Sequence, residues 1–302
     1  MAKKTKLAIN LEYAALRMGA GLLNAMPYGM ATAFARFMAR VTYKVFGFKR
    51  ERTRERIRAA FPEKTLKEVD EIAVGSLQTL LLNVVDMARA SRLDRAWMLK
   101  MVEEIEINSQ KVRELAAEGH GVVVMVPHMG NWYMAAWALA RLDVPLFAIA
   151  AAQRNPKINA WMNRQYGAGM DVVERGSATV MREILARLKK GQVFAILPDL
   201  RSPEKDVEVP FLNATANVSH GGALFAVAAG SPVVVAAIRR ERGHHTFKHL
   251  ATLRPNPDAP DRKDEACRIM TEAMALINEE VKLTPEQWFW FNKRWLLQPV
   301  EG

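Results

Sequence analysis

The feature that most constrains this chain is a short apolar run that leads at once into a turn and a helix. Residues 122–126 read Val-Val-Val-Met-Val, and an unbroken run of β-branched residues is typical of a strand buried on both faces. Pro127 ends the run, and Gly130 with Asn131 forms a turn. Residues 132–142 then show the apolar spacing of a helix. A buried strand joined directly to a helix favours an α/β fold.

Strand and helix patterns alternate along most of the remaining chain. Further strands are predicted at residues 145–150, 170–174, 192–197 and 232–238, with an extended piece at 207–211 and possible edge strands at 102–107 and 249–253. Helices are predicted at residues 66–91, 111–118, 155–166, 177–190, 221–229 and 261–282. The sequence therefore predicts an α/β domain with a mostly parallel central sheet that is flanked by helices on both faces.

The N-terminal part carries two further helical patterns, at residues 7–23 and 28–46, and both are amphipathic. In the second, Arg36, Arg40 and Lys44 recur every four residues along one face, and aromatic residues lie on the other. Two interpretations are open. The helix packs against its own domain, or it lies in a membrane interface with its aromatic face inserted.

The charge balance favours an anionic partner, and among the candidates it favours a membrane surface. The net charge is +11, which suits an anionic partner such as nucleic acid, an anionic membrane surface or an acidic carrier. The sequence shows neither a recognition-helix motif nor an aromatic stacking platform on strands, so no nucleic-acid partner is expected. We therefore expect residues 1–60 to form a membrane-associating helical extension and residues 61–302 to form the α/β domain.

The helix predicted at residues 66–91 has a clear start signal. Thr65 and Glu68 have the spacing of a capping box, in which each side chain binds the backbone amide of the other residue. The second half of this helix is strongly apolar, which predicts a buried helix.

The aromatic segment near the C-terminal end, at residues 288–297, leaves two interpretations open. Trp288, Trp290 and Trp295 form either an aromatic belt at a membrane surface or the closure of the core. The basic residues Lys293 and Arg294 between them favour the membrane.

Motifs for cofactors and metals are missing from the sequence. There is no G-x-S-x-G nucleophile elbow, no P-loop and no G-x-G-x-x-G, so no nucleotide cofactor is expected. His244, His245 and His249 could ligate a metal by residue type, but the adjacent Gly243 favours a polar hairpin turn. The single cysteine, Cys267, excludes an intrachain disulfide. Neither a cofactor nor a metal site is predicted.

His128 is the candidate catalytic residue because of where it lies. It follows the predicted central strand, and ligands of open α/β sheets gather beyond the carboxyl ends of the strands. One interpretation is a buried histidine that is bonded to a backbone carbonyl. The other is a general base beside a helix N-terminus, whose amides could stabilise a developing oxyanion.

Several blocks of the sequence decide between these interpretations. They are residues 58–63, residues 127–132 (Pro-His-Met-Gly-Asn-Trp), residues 154–156 with Arg164, residues 197–201, residues 209–212 with Gly221, and residues 290–295. In this order they resemble the late acyltransferases of bacterial lipid A biosynthesis, the lauroyl and myristoyl transferases. The mannoside acyltransferases of actinobacteria share the active-site motif. Both lie within the lysophospholipid/glycerolipid acyltransferase superfamily, whose signature is His, four residues, then Asp or Glu.

This resemblance implies a reaction. His128 would remove a proton from a hydroxyl of a membrane glycolipid, such as a lipid A precursor. The oxygen would then attack the thioester of an acyl carrier protein or coenzyme A, with no metal and no covalent acyl-enzyme. A dry tunnel around the acyl chain would keep water from the thioester. The resemblance also implies a peripheral protein on the cytoplasmic face of the bacterial inner membrane, where the acyl donors are found.

The resemblance also implies a set of substrate-binding residues. They are Asn131, Arg154, Arg164 and Arg201. Guanidinium groups bind phosphate bidentately and so suit a phosphorylated acceptor or an oxyanion. For Arg164, at helical spacing from an upstream tryptophan, a solvated basic face is an equal alternative.

One position departs from the family signature. The acidic partner of His128 is expected at position 133, where this chain has Tyr133. A neutral phenol supplies no negative charge to orient and stabilise the imidazole. Three explanations are open: Asp199, which follows another strand, takes over the acidic role; Tyr133 supports a slow enzyme; or the protein is an inactive homologue that only binds lipid. An active enzyme is the preferred hypothesis.

Overall fold

A seven-stranded sheet lies at the centre of the structure. The computed structural model describes residues 5–150, 153–166, 170–174 and 179–297. Its strands are β1 (Val102–Glu103), β2 (Val122–Met125), β3 (Leu146–Ala150), β4 (Met170–Glu174), β5 (Val193–Ile196), β6 (Val207–Phe211), β7 (Ala214–Val218), β8 (Val233–Glu241) and β9 (His244–Leu253). The sheet has the order β1-β9-β8-β2-β5-β3-β4, and β6 pairs with β7 in a separate antiparallel hairpin.

The sheet is parallel except at one pair. Strand β2 pairs in parallel with β5 and β8, and β3 pairs in parallel with β4 and β5. Strands β8 and β9 are antiparallel, and β9 pairs in parallel with β1. This confirms the prediction of an α/β fold with a mostly parallel central sheet. The parallel pairing follows from the helical connections, which return the chain to the same end of the sheet after each strand.

Helices cover both faces of the sheet. They are α1 (Lys6–Ala25), α2 (Tyr28–Lys44), α3 (Arg50–Ala60), α4 (Leu66–Ala88), α5 (Arg95–Met101), α6 (Ile105–Ala117), α7 (Trp132–Arg141), α8 (Pro156–Tyr166), α9 (Val180–Leu188), α10 (Gly221–Ala229) and α11 (Arg262–Leu283). Helices α6 and α7 pack on one face, and α10 and α11 pack on the other. Successive β2 side chains alternate between the two cores, which is why this strand is apolar throughout. The start predicted for α9, at residue 177, lies outside the described residues.

The edge strand predicted at residues 102–107 is mostly wrong. Only β1 pairs there, although it does lie at the sheet edge, and α6 begins at Ile105. Glu104 has a positive φ of 60°, which ends the strand. Ile105 is buried and Ile107 is 68% exposed, whereas a strand would place both on the same face. The alternating sequence therefore concealed a helix start.

The polar turn predicted at His244 and His245 is also wrong. Both residues belong to β9, which starts earlier than predicted and lies inside the sheet rather than at its edge. The turn falls two residues earlier, at Arg242 and Gly243, whose φ values of 45° and 93° suit a two-residue hairpin loop. His245 is fully buried as a consequence. Strand β7 and helices α3 and α5 had not been predicted.

The amphipathic helix α2 packs through alanines rather than through its aromatic residues. Its buried residues are Ala31, Ala35, Ala39 and Tyr43, and they face α4. Phe34 and Phe37 remain 42% and 58% exposed. The helix is thus attached to the domain while most of its large apolar side chains face outwards.

Residues 1–60 also contact the far end of the chain. The buried guanidinium of Arg56 in α3 donates to the carbonyls of Trp290 and Asn292, both at 2.8 Å. The division of the chain at residues 60 and 61 remains a prediction.

Helix α4 has the predicted capping box. The Thr65 hydroxyl accepts from the Glu68 amide at 3.4 Å, and the Glu68 carboxylate accepts from the Thr65 amide at 2.8 Å. Within the described ranges, α4 is the one helix long and apolar enough to cross a membrane, and 61% of its most apolar window is buried inside the protein. The core helix of a soluble protein can be equally long and apolar, and the burial of α4 agrees with the buried helix predicted from the sequence.

The three C-terminal tryptophans close the core. Trp288, Trp290 and Trp295 are all buried, and the rings of Trp288 and Trp290 lie 4.9 Å apart in an edge-to-face arrangement. The guanidinium of Arg56 lies over the Trp295 ring at 4.5 Å. The alternative of an aromatic belt at a membrane surface is therefore wrong.

Removal of the cap of α4 should destabilise the whole domain, because this helix carries much of the core. We expect Thr65→Ala to lower the free energy of unfolding by about 1 kcal/mol. Thr65→Ser keeps the hydroxyl and should stay close to the wild type. Urea unfolding followed by circular dichroism measures both variants. An equal loss in both would show that the hydroxyl does not stabilise the helix.

Candidate active site

His128 lies at the carboxyl end of β2, in a turn whose backbone conformation requires glycine. Gly130 has a φ of 54°, and a Cβ atom there would lie 2.0 Å from the carbonyl oxygen of Ile238. The turn therefore presses directly against β8. The His128 side chain is 13% exposed and lines the main cavity of the protein.

Asp199 is the acidic partner of His128. It follows β5, which lies beside β2 in parallel register, so the two strand ends meet. The His128 Nδ1 atom lies 2.8 Å from Asp199 Oδ1, and the His128 backbone amide donates to Oδ2 at 2.8 Å. Trp288 Nε1 donates to the same Oδ2 at 2.8 Å. The carboxylate thus accepts three hydrogen bonds while its side chain is fully buried.

The electrostatics keep Asp199 ionised. Burial raises the pKa of its carboxyl, but the charge of His128 and the hydrogen bonds from His128 and Trp288 outweigh that effect, so the pKa lies below its usual value. An ionised Asp199 accepts a hydrogen bond from Nδ1–H of His128, and in the tautomer that this bond favours the lone pair lies on Nε2. The pair has the geometry of a base and its orienting carboxylate.

Tyr133 occupies the position expected for the acid, and its ring packs among aromatic side chains. Its ring lies 5.2 Å from the ring of Trp132 and 6.0 Å from that of Trp137. Trp132 in turn meets the His128 ring edge-on at 5.3 Å. Tyr133, Trp132 and His128 all line the main cavity. Tyr133 therefore contributes to an aromatic wall beside the histidine.

Asn131 caps the helix that follows the turn. Its Oδ1 accepts from the Met134 amide at 3.1 Å, and its Nδ2 donates to Asp86 Oδ2 at 2.8 Å. The residue is fully buried. Both ends of this side chain are occupied by protein groups, so the structure places it behind the turn rather than in the cavity.

The described lining of the main cavity does not include the three predicted arginines. Arg201 forms an isolated bridge with Val218, and its carbonyl accepts from Arg294, which lines the main cavity. Arg154 is exposed and lies two residues before α8. Arg164 lines a second cavity of about 430 Å³ between α1, α4 and α8, together with Arg17. Substrate binding by these three residues remains a prediction.

The main cavity has a volume of about 650 Å³ and is mostly apolar. Its lining comes from both faces of the sheet, because the cavity surrounds the carboxyl ends of β2, β3 and β5. Two small residues, Ala148 and Ala195, line it on the α7 face, whereas Ile149 and Phe225 line it on the other face. An apolar cavity of this size with a single histidine–carboxylate pair suits a long apolar ligand that reacts at one end.

The C-terminal segment completes the site, and sequence reasoning missed this role. The Phe289 amide donates to the His128 carbonyl at 3.0 Å, and the Gly130 amide donates to the Gln287 carbonyl at 3.0 Å. Trp288 binds Asp199 between these two contacts. The one available signal was the aromatic block itself, which had been interpreted as a membrane belt or as core closure.

The described ranges contain no cluster of metal-ligating side chains. No group of three or more His, Cys, Asp or Glu side chains is placed there to hold a metal ion. His245, one of the three candidate ligands, is fully buried in β9.

Comparison with known proteins shows the family of this chain. The model of the bacterial lipid A biosynthesis acyltransferase family matches residues 1–297. A lipid A biosynthesis acyltransferase of Haemophilus influenzae is 23% identical over 251 residues, which cover 80% of this chain and 74% of that protein. Because the family model spans nearly the whole chain, this protein belongs to the bacterial lipid A biosynthesis acyltransferase family and is an acyltransferase.

Proposed function

We propose that the protein moves a fatty acyl group from an acyl thioester, carried by acyl carrier protein or coenzyme A, to a hydroxyl of a membrane glycolipid such as a lipid A precursor. His128 is the general base. The observation that carries this proposal is the 2.8 Å contact between His128 Nδ1 and the buried carboxylate of Asp199, beside an apolar cavity.

The reaction follows from the tautomer that Asp199 favours. Nε2 of His128 accepts the proton of the acceptor hydroxyl, and the oxygen attacks the thioester carbonyl. The tetrahedral intermediate collapses, the carbon–sulfur bond breaks, and the leaving thiolate takes the proton from the imidazolium. Asp199 stabilises the imidazolium without taking its proton. Amides in the first turn of α7 are candidates to stabilise the oxyanion.

The apolar cavity is suited to the acyl chain of the donor. A chain seated there places its thioester near His128 and excludes water, so that hydrolysis does not compete with transfer. Because the side chains of Ala148 and Ala195 are small, the cavity has space for such a chain on the α7 face.

The alternative is a degenerate homologue that binds lipid without turning it over. Tyr133, in place of an acid, is the observation that favours it. The position of Asp199 argues against it, because a carboxylate reaches His128 from another strand. In the degenerate case the wild type transfers no acyl group, and Tyr133→Glu creates an activity that was missing.

The N-terminal helices are suited to an anionic membrane surface. Met18 of α1 is 78% exposed, and Phe46, just after α2, is 76% exposed. Phe34 and Phe37 are also exposed on α2, next to its basic residues. Apolar side chains that insert into the interface and cations that bind anionic headgroups act together in such helices. We therefore propose a peripheral location on the cytoplasmic face of the bacterial inner membrane.

Substitutions in the histidine–aspartate pair test the mechanism. His128→Ala should reduce acyl transfer to the uncatalysed background. Asp199→Asn should lower kcat by about 10²–10⁴-fold, because an amide neither fixes the tautomer nor stabilises the imidazolium. Tyr133→Phe is the control and should keep most of the activity. Radiolabelled acyl transfer to the glycolipid measures all three. Loss of turnover in Tyr133→Phe, with Asp199→Asn intact, would assign the supporting role to Tyr133 instead.

Filling the cavity should change the preferred acyl length. Ala148→Leu adds bulk on the cavity wall, so kcat/KM for long-chain thioesters should fall more than kcat/KM for short-chain ones. Ala59→Leu is the matched control, because Ala59 is exposed on α3. Competition between donors of two lengths in one assay gives the ratio directly. An unchanged ratio in Ala148→Leu would place the acyl chain elsewhere.

Removal of exposed aromatic side chains should weaken membrane binding. The double variant Phe34→Ala and Phe37→Ala should bind vesicles that contain anionic lipid at least about tenfold more weakly, since burial of each ring contributes on the order of 1.5–3 kcal/mol. Leu283→Ala, at the end of α11, is the control, because Leu283 is also a large apolar residue that is exposed. Vesicle sedimentation measures the partitioning. Equal binding of both variants would contradict insertion of α2.

A further inference from the structure

A buried carboxylate that the mechanism does not use lies directly behind the His128 turn. Asp86, near the end of α4, has a fully buried side chain. Its Oδ1 accepts from the Tyr28 hydroxyl at 2.9 Å. Its Oδ2 accepts from Asn131 Nδ2 at 2.8 Å and from the guanidinium of Arg240. One carboxylate therefore joins α2, α4, the cap of α7 and the end of β8.

A second polar side chain of α4 holds the same turn. Asn83 lies three residues before Asp86, so both side chains project from one face of the helix. Asn83 Nδ2 donates to the carbonyl of Gly130 at 2.8 Å, and Asn83 is buried. Helix α4 thus binds both residues that connect the His128 turn to α7.

The charges in this cluster are confined to one ion pair. Burial lowers the pKa of Arg240, but the charge of Asp86 outweighs that effect and raises the pKa above its usual value. His245 Nε2 lies 4.0 Å from Asp86 Oδ2. Burial, followed by the charge of Arg240, holds the pKa of His245 well below its usual value, so this ring stays neutral. Arg240 is therefore the cation that balances Asp86.

A buried ion pair is poorly explained by stability alone. Removal of two charges from water costs several kcal/mol per ion, and apolar residues of similar volume often serve stability as well or better. Directional hydrogen bonds, by contrast, fix the position of what they bind. In this cluster they fix the amide of Asn131, three residues after His128.

We infer that Asp86 is a positioning residue for His128, which acts through Asn131 and the turn and does not touch the substrate; this inference rests on the proposed role of His128 as the base. The turn carries a glycine with positive φ that presses against β8, so its backbone has little freedom to compensate for a lost contact. Displacement of a base by about 1 Å costs on the order of 10²-fold in rate.

The chain offers a matched control on the same helix. Asp70 of α4 also binds a tyrosine of α2 and an arginine: it accepts from Tyr43 at 2.8 Å and from Arg54 through two bonds of 2.8 Å. None of these three residues contacts the His128 turn in the described hydrogen bonds. Asp70→Asn therefore removes the same chemistry from α4 at a distance from the site.

The experiment compares steady-state acyl transfer by Asp86→Asn and Asp70→Asn in the full-length protein, with folding checked by circular dichroism. Asp86→Asn should lower kcat by about 10–100-fold, and the KM for the acyl thioester should change little. Asp70→Asn should keep the kcat of the wild type. A wild-type kcat in folded Asp86→Asn, or an equal loss of kcat in folded Asp70→Asn, would overturn the inference.

A double-variant cycle identifies the route of the effect. Asn131→Ser keeps an oxygen that can cap α7 but removes the amide group whose Nδ2 reaches Asp86. If Asp86 acts through Asn131, the double variant should be no slower than the slower single variant. Multiplied losses would overturn the inference, because the two residues would then act independently.

If Asp86→Asn does not fold, the kcat of Asn131→Ser alone tests the inference. A loss of about tenfold or more in kcat supports it, and a wild-type kcat overturns it.

His128→Ala in the same assay separates the two proposals. Turnover that survives in His128→Ala would end the assignment of the base, whatever Asp86 does. Loss of turnover in His128→Ala, together with wild-type kcat in folded Asp86→Asn, would end only the inference about Asp86.

Discussion

The structure around the active site depends on one carboxylate that accepts three hydrogen bonds. Asp199 receives the imidazole and the backbone amide of His128 and the indole of Trp288, each at 2.8 Å. This arrangement requires β2 and β5 to be neighbours in parallel register, because only then do their carboxyl ends meet. The same contact brings a carboxylate to His128, whereas position 133 carries a tyrosine. The sheet topology thus supplies the charge that the local sequence motif lacks.

Much of the fold could be predicted because its signals are local. The apolar run before Pro127 predicted β2, and the bounds of α10 were predicted as observed, since a small apolar segment ending in Gly230 has a clear helix stop. The errors arose where pairing between strands distant in sequence decides which residues form a strand. Residues 102–107 alternate like a strand, yet the chain leaves the sheet at Glu104, and β9 gains its full length only through pairing with β8.

The candidate site was predictable in part for the same reason. His128 and Asp199 both follow apolar runs, so their meeting at one sheet edge could be inferred from strand positions. Trp288 and Asp86 gave no such signal. Trp288 lies in an aromatic segment and Asp86 lies in a helix, and both are far from His128 in sequence. Substrate binding by Asn131 and Arg164 remains a prediction. Their positions depend on tertiary packing, which no local signal gives: Asn131 is buried behind the turn, and Arg164 lines a separate cavity.

The role of residues 287–289 has a consequence for the order in which the protein matures. These residues follow every strand of the sheet in the chain, yet they bind His128, Gly130 and Asp199. During synthesis the strands can therefore pair before Asp199 receives the Trp288 indole and before the His128 carbonyl receives the Phe289 amide. The set of hydrogen bonds that holds the His128 turn and Asp199 is complete only after residues 287–289 have been synthesised and have packed onto the sheet.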